Sequence, residues 1–102
     1  MRIDEFQNLM KTLYFHQDLK RGYEKSFIWL IEEIGELASI LHMDILDKNK
    51  IKEEIADIFA WICSLANLLD IKVEEAVKEK YPGKCIKCSS NPCRCDELKK
   101  KL

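Results

Sequence analysis

Two short acidic patterns carry most of the chemistry this sequence offers. Glu33-Ile34-Gly35-Glu36 and Glu54-Ile55-Ala56-Asp57 each set two carboxylates three residues apart, and Glu32 directly precedes the first pair. At that spacing both side chains share one face of a helix, where like charges repel. On a helical wheel, Glu33 and Glu36 fall beside the apolar stripe Leu30, Ile34, Leu37 and Leu41, on the flank that also carries Trp29 and Ile40. Glu54 and Asp57 take the same position beside Ile51, Ile55, Ile58, Ile62 and Leu69, with Trp61 and Leu68 on their flank. Solvated charges belong on the far side of such a helix. Gathering four carboxylates next to a core costs several kcal/mol unless protons or cations compensate. Magnesium, a hard cation that takes carboxylates, waters and phosphate oxygens, supplies that compensation, so facing pairs suit a metal-nucleotide site. The bland alternative is two acidic surfaces beside lysines. A di-iron carboxylate bundle is disfavoured: it needs Glu-x-x-His pairs, and neither His16 nor His42 follows an acid by three residues.

A second group of potential ligands lies near the C-terminal end. Cys85-x2-Cys88-x4-Cys93-x-Cys95 places four of the five cysteines within eleven residues. Four thiolates are what a tetrahedral structural zinc site requires, and CxxC is its usual half-site; the CxC second half and the short intervening loop depart from common ribbons. Disulfides, an iron-sulfur cluster or free thiols are the competing readings. Cys63, among apolar residues, reads as an inert core residue.

The elements that must position these groups are helices. Glycine and proline number only three and two, and the remainder is rich in aliphatic, Glu and Lys residues. Phe6, Leu9, Met10, Leu13 and Tyr14 form one apolar stripe and predict a helix over about 4–18, with Asp4 as N-cap. KRGYEK predicts a loop over about 19–25, followed by a helix over 26–42, a polar connection over 44–49 and a helix over 50–69. The two long helices are expected to pair antiparallel. A shorter helix follows over 73–80, closed by Pro82-Gly83. This predicts an all-α domain over 1–83 and a cysteine-rich appendage over 84–102.

Composition narrows the function classes. Hydrophobic residues make up 47% and charged residues 34%, too apolar for disorder. The net charge of −1 offers no general attraction to nucleic-acid polymers or anionic membranes, and Lys99 to Lys101 read as a solvated terminus. No apolar run approaches a bilayer span and MRIDEFQ lacks the character of a secretion signal, so a cytoplasmic location is expected. A chain of 102 residues is near the lower limit for a self-sufficient core, and a partner subunit is expected to complete it.

Glu32-Glu33-x-x-Glu36, seventeen residues, then Glu54-x-x-Asp57, set in WLIEEIGELA and EEIADIFAWI, resembles the signature of the MazG-like nucleotide pyrophosphohydrolases. The resemblance spans about residues 18–83 and includes DLKRGYEKSF and LDIKVEEAVKEKYPGK. It implies an antiparallel four-helix bundle completed by dimerisation or tetramerisation. It also implies magnesium-dependent hydrolysis of a nucleoside triphosphate to the monophosphate and pyrophosphate, with manganese as a substitute ion, in the service of clearing excess or damaged nucleotides. Glu33, Glu36, Glu54 and Asp57 would then ligate magnesium, with Glu32 as a supporting acid. Lys80 either resembles a late-helix lysine that meets phosphate, with Lys78 and Lys84 as nearby alternatives, or is a surface lysine. Arg21 is either a phosphate contact or a surface arginine; Trp29 and Trp61 either stack on a base or fill the core; Asn67 either meets the nucleoside or faces solvent. The cysteines, taken as zinc ligands, are additional to this pattern. A non-catalytic helical oligomer that senses nucleotides or binds protein is the alternative function.

Overall fold

The chain folds into helices α1 (Ile3–Arg21), α2 (Tyr23–Leu41), α3 (Lys48–Leu68), α4 (Val73–Lys80) and α5 (Cys95–Lys100), with no strand among the described residues. The computed structural model describes the backbone of residues 1–100 and side chains through Glu97, so the side chains of Lys99 to Lys101 lie outside the described residues. The fold class is all-α, as expected, with α3 packed against both α2 and α1, and α4 against α1. No helix in this part of the chain is long and apolar enough to cross a membrane.

The loop expected over 19–25 shrinks to one residue. Gly22, at φ +83°, closes α1 by donating its N–H to the Asp18 carbonyl and accepts from Ser26 N–H and Oγ at the start of α2. A backbone with φ positive turns the chain in a single step, which a side chain there would oppose. The residues KR therefore complete the last turn of α1, where Arg21 reaches back to Asp18 at i,i+3. Asp4 is not the N-cap of α1: the chain enters at Arg2, whose N–H donates to Glu5 Oε1. At α3 the cap is Asp47, whose Oδ1 accepts from Asn49 and Lys50 N–H.

Trp29 of α2 meets Trp61 of α3, and further along α2 Glu33 meets Glu54, which lies earlier on α3. Residue number rises on one helix as it falls on the other, so the two run antiparallel.

The start of α4 is held by a residue of α1. Buried Gln7 donates Nε2 to Asn67 Oδ1 (3.0 Å) and to the Ile71 carbonyl (2.7 Å), while its Oε1 accepts from Val73 N–H (2.9 Å). Asn67 returns a bond from Nδ2 to the Gln7 carbonyl (3.2 Å). Lys72 provides no side-chain cap, so Gln7 satisfies one of the orphan donors at this helix start. Asn67, read from sequence as a nucleoside contact or a solvated residue, is instead part of this brace.

The core is thin. Among the described residues Met10, Leu30, Cys63 and Ala66 are its buried apolar members, whereas Ile34, Leu41, Ile55, Ile62 and Leu69, expected in the apolar stripes, are exposed within one chain. Three long helices cover only one side of each stripe. The radius of gyration, 17.2 Å, exceeds the roughly 13 Å usual for a compact chain of this length.

Gln7→Ala leaves Asn67 Oδ1, the Ile71 carbonyl and Val73 N–H without their partner and is expected to destabilise the fold by about 2–3 kcal/mol. Asn8→Ala, at an exposed side chain one residue on, is expected to change little. Urea unfolding at fixed protein concentration checks this, and equal midpoints for the two variants would contradict the brace.

Candidate functional site

The antiparallel pairing of α2 and α3 brings the two acidic patterns together. One carboxylate oxygen from each of Glu33, Glu36 and Glu54 lies within 4.8 Å of the others. Glu33 and Glu54 are half-buried and Glu36 is exposed, so the group opens to solvent on one side. Glu33 Oε2 and Glu54 Oε2 are themselves buried, and neither has a hydrogen-bond partner when both groups are ionised. Among the described residues no ion pair involves any of the three acids. A shared proton or a cation is what satisfies such a pair.

The proton leaves its mark on Glu33. A hydrogen bond to Glu54, then burial, then the charges of Glu36, Glu54 and Asp57 push the Glu33 carboxyl from 4.5 up to about 7. All these causes act in the same direction, and among the described residues no positive group offsets them. Oxygen-only donors, repelling one another and short of hydrogen bonds, are the donor set that a hard divalent cation takes. The residues present therefore fit magnesium.

The other predicted residues sit at various removes. Asp57 is outside the close trio, yet near enough for its charge to raise Glu33, and it lines an open cavity of about 290 Å³ between α1 and α3. Glu32 is exposed and does not join the cluster. Lys80 ends α4, exposed. Trp29 and Trp61 meet edge to face with centroids 5.5 Å apart. Arg21 lies over both rings, 4.3 Å from Trp29 and 4.9 Å from Trp61, and its guanidinium is paired with Asp18 at 2.9 Å. Arg21 is thus held in a cage of two indoles and a carboxylate, and is not a loop arginine.

Asp18 is the residue that sequence reasoning passed over. Its side chain is 3% exposed, Oδ1 accepts from Arg21, and Oδ2 is buried without a partner beside the same cavity. The available signal was the Asp18-x-x-Arg21 spacing directly before a glycine. A larger cavity of about 510 Å³ lies between α1 and α4, lined by Lys11, Glu74 and Lys78 among others, and contains none of the clustered acids. Chemistry, not size, marks the site.

The four C-terminal cysteines also converge, each with Sγ within 4.8 Å of the rest. Backbone N–H groups of Arg94 and Ser90 hold the Cys88 thiol down to about 6, and those of Cys88 and Lys87 lower Cys85. Facing Cys93 and Cys85 push Cys95 up to about 12. Cys63 is fully buried, which raises its thiol and leaves it inert.

In metal-free protein, folded Glu33 keeps its proton up to about 7, whereas the unfolded chain loses it near 4.5. This group's stabilising contribution is complete below the lower value and is lost as pH rises through the higher one. Glu33→Gln does not ionise, so with chelator present its stability relative to the native chain is expected to grow as pH rises across that interval. Urea midpoints measured along a pH series check this; a constant difference between the two proteins would contradict it.

The MazG nucleotide pyrophosphohydrolase domain matches residues 21–88, two thirds of the chain, including all five acids of the pattern. No curated protein matches the chain. With a helical fold and clustered acids from α2 and α3 within that span, this chain belongs to the MazG nucleotide pyrophosphohydrolase family.

Proposed function

We propose that this protein hydrolyses nucleoside triphosphates to nucleoside monophosphate and pyrophosphate in a magnesium-dependent reaction. MazG domains are nucleotide pyrophosphohydrolases, which gives the reaction class. The observation that carries the reading to this chain is the convergence of Glu33, Glu36 and Glu54 with two buried carboxylate oxygens unpartnered.

Glu33, Glu36 and Glu54 would hold the ion, with Asp57 at the cavity side. When bound, magnesium supplies positive charge to the triphosphate oxygens and lowers the pKa of a coordinated water. Manganese, with similar oxygen preferences, is the expected substitute. A carboxylate of the cluster accepts a proton from the water that attacks the α-phosphorus, and pyrophosphate leaves. Glu32, beside Glu33 but exposed, takes a supporting role at most.

The cavity lined by Tyr14, Arg21, Asp57 and Trp61 includes Asp57 of the second acidic pattern, which supports its use by the nucleoside, with Trp61 as the aromatic face. Trp29 then acts through Arg21, which it covers. Arg21 is already paired with Asp18, so its role is to shape the cavity wall more than to seek phosphate. Lys80 is proposed as a phosphate contact on family likeness alone.

Many large apolar side chains, Phe27, Ile31, Ile34 and Ile55 among them, are half exposed or more within one chain or close to it. A homo-oligomer, dimer or tetramer, that covers this surface is part of the proposal.

Glu36→Ala and Asp57→Ala each remove a carboxylate and are expected to lower magnesium-dependent turnover by roughly a hundredfold or more, the equivalent of several kcal/mol of transition-state stabilisation. Helical content, checked by circular dichroism, is expected to persist. Products from a panel of NTPs and dNTPs, resolved by anion exchange, are expected to be monophosphate and pyrophosphate. Full activity in both variants would sink the ligand assignment. Absence of turnover in the native chain, with magnesium or manganese, would favour a nucleotide-binding module without catalysis.

A further inference from the structure

We propose that Cys85, Cys88, Cys93 and Cys95 form a closed tetrathiolate zinc site that organises the C-terminal segment as a metal-dependent unit apart from the helical body. The distances come first. Cys85 Sγ and Cys95 Sγ are 3.6 Å apart, and Cys88 Sγ and Cys93 Sγ are 4.0 Å apart. All four are unbonded thiols, and a disulfide needs about 2.05 Å. With a zinc-sulfur bond of about 2.3 Å, the sulfurs of a regular tetrahedron lie about 3.8 Å apart. The observed pairs bracket that edge.

The backbone is shaped to the same end. Lys87 N–H donates to Cys85 Sγ and Cys95 N–H to Cys93 Sγ, both at 3.4 Å, so each half-site turns the amide two residues on toward its first sulfur. Arg94 N–H donates to Cys88 Sγ at 3.3 Å and links the halves. Donors aimed at sulfur favour thiolate and orient it for a metal. Ser89 N–H to the Cys85 carbonyl (2.8 Å) and Cys85 N–H to the Ser90 carbonyl (2.9 Å) close the first loop, with Ser89 at φ +59°. Asn91 Nδ2, donating to the Gly83 carbonyl at 3.0 Å, ties the second half back to the beginning of the segment.

Among the described residues nothing apolar accounts for this order. Ile86 is the large hydrophobic residue between Gly83 and Cys95, and it is 47% exposed. A segment with so little to bury owes its convergence to its ligands. Four protein sulfurs leave no open position, so the site is structural and takes no part in phosphate chemistry. Thiolate softness excludes magnesium, and among divalent metals zinc binds such a set more tightly than ferrous iron. Lys84 and Lys87 offer positive charge to the dianionic zinc-thiolate centre.

The test uses the full chain and does not depend on the pyrophosphohydrolase reading. Protein purified without added metal is expected to carry about one zinc per chain by elemental analysis. Cobalt exchanged into it is expected to give the intense visible bands of a tetrahedral tetrathiolate. Cys88→Ser and Cys93→Ser are expected to lose the zinc while keeping the helical signal and, with magnesium restored, any turnover the native chain has. Absence of stoichiometric zinc, with the four thiols still reactive toward a thiol reagent after zinc is added, would overturn the proposal. Stoichiometric iron in place of zinc, or two disulfides in protein kept under reducing conditions, would overturn it as well.

Discussion

The controlling constraint is electrostatic: carboxylates from two antiparallel helices meet at the α2/α3 interface, and among the described residues no positive side chain pairs with them. Proteins avoid such an arrangement unless something is gained, because two ionised groups in a half-buried setting repel and lose hydration together. Here the strain is partly relieved by a proton on Glu33, held up to about 7. A divalent cation relieves it more fully and leaves all the carboxylates ionised. On the proposed reading, the unsatisfied interface is what a metal would be bound to relieve.

The rest of α2 and α3 serves to keep those groups opposed. The Trp29–Trp61 contact fixes the helices on the side toward the α1–α2 turn, and Arg21 is pinned over both indoles by Asp18. A cation spread over two aromatic faces and fixed by a buried carboxylate is a rigid wall. Gly22 makes that wall possible, since it turns the chain within one residue and leaves Arg21 on the last turn of α1. At the other end of the body, the Gln7–Asn67 brace fastens α1 and α3 to the start of α4.

The sequence revealed those features that depend on periodicity and local spacing. Four of the five helices, the antiparallel pair and the approach of Glu33 and Glu36 to Glu54 were legible because a helix converts i,i+3 spacing into a shared face, whereas α5 was read only as part of a cysteine-rich appendage. Cys63 read as core and is fully buried. Features that depend on long-range partners were not legible. Gln7 looks like any surface glutamine in an amphipathic helix, and only the approach of α4 makes it a cap. Asn67 looked available and is occupied. Arg21 looked like a loop residue because KRGYEK suggested a longer break than one glycine requires. Wheel positions marked Ile34, Ile55 and Ile62 as apolar face but not what covers them, since periodicity gives the face of a helix and not the number of neighbours on it.

The most direct measurement is the anomalous density of manganese in crystals grown with that ion, at the wavelength where it scatters anomalously. A peak bonded to Glu33, Glu36 and Glu54, with Asp57 beside it, is the predicted result. Manganese absent from that interface, with the three carboxylates turned outward or paired with lysines, would contradict the claim that the repulsion between α2 and α3 exists to bind a metal.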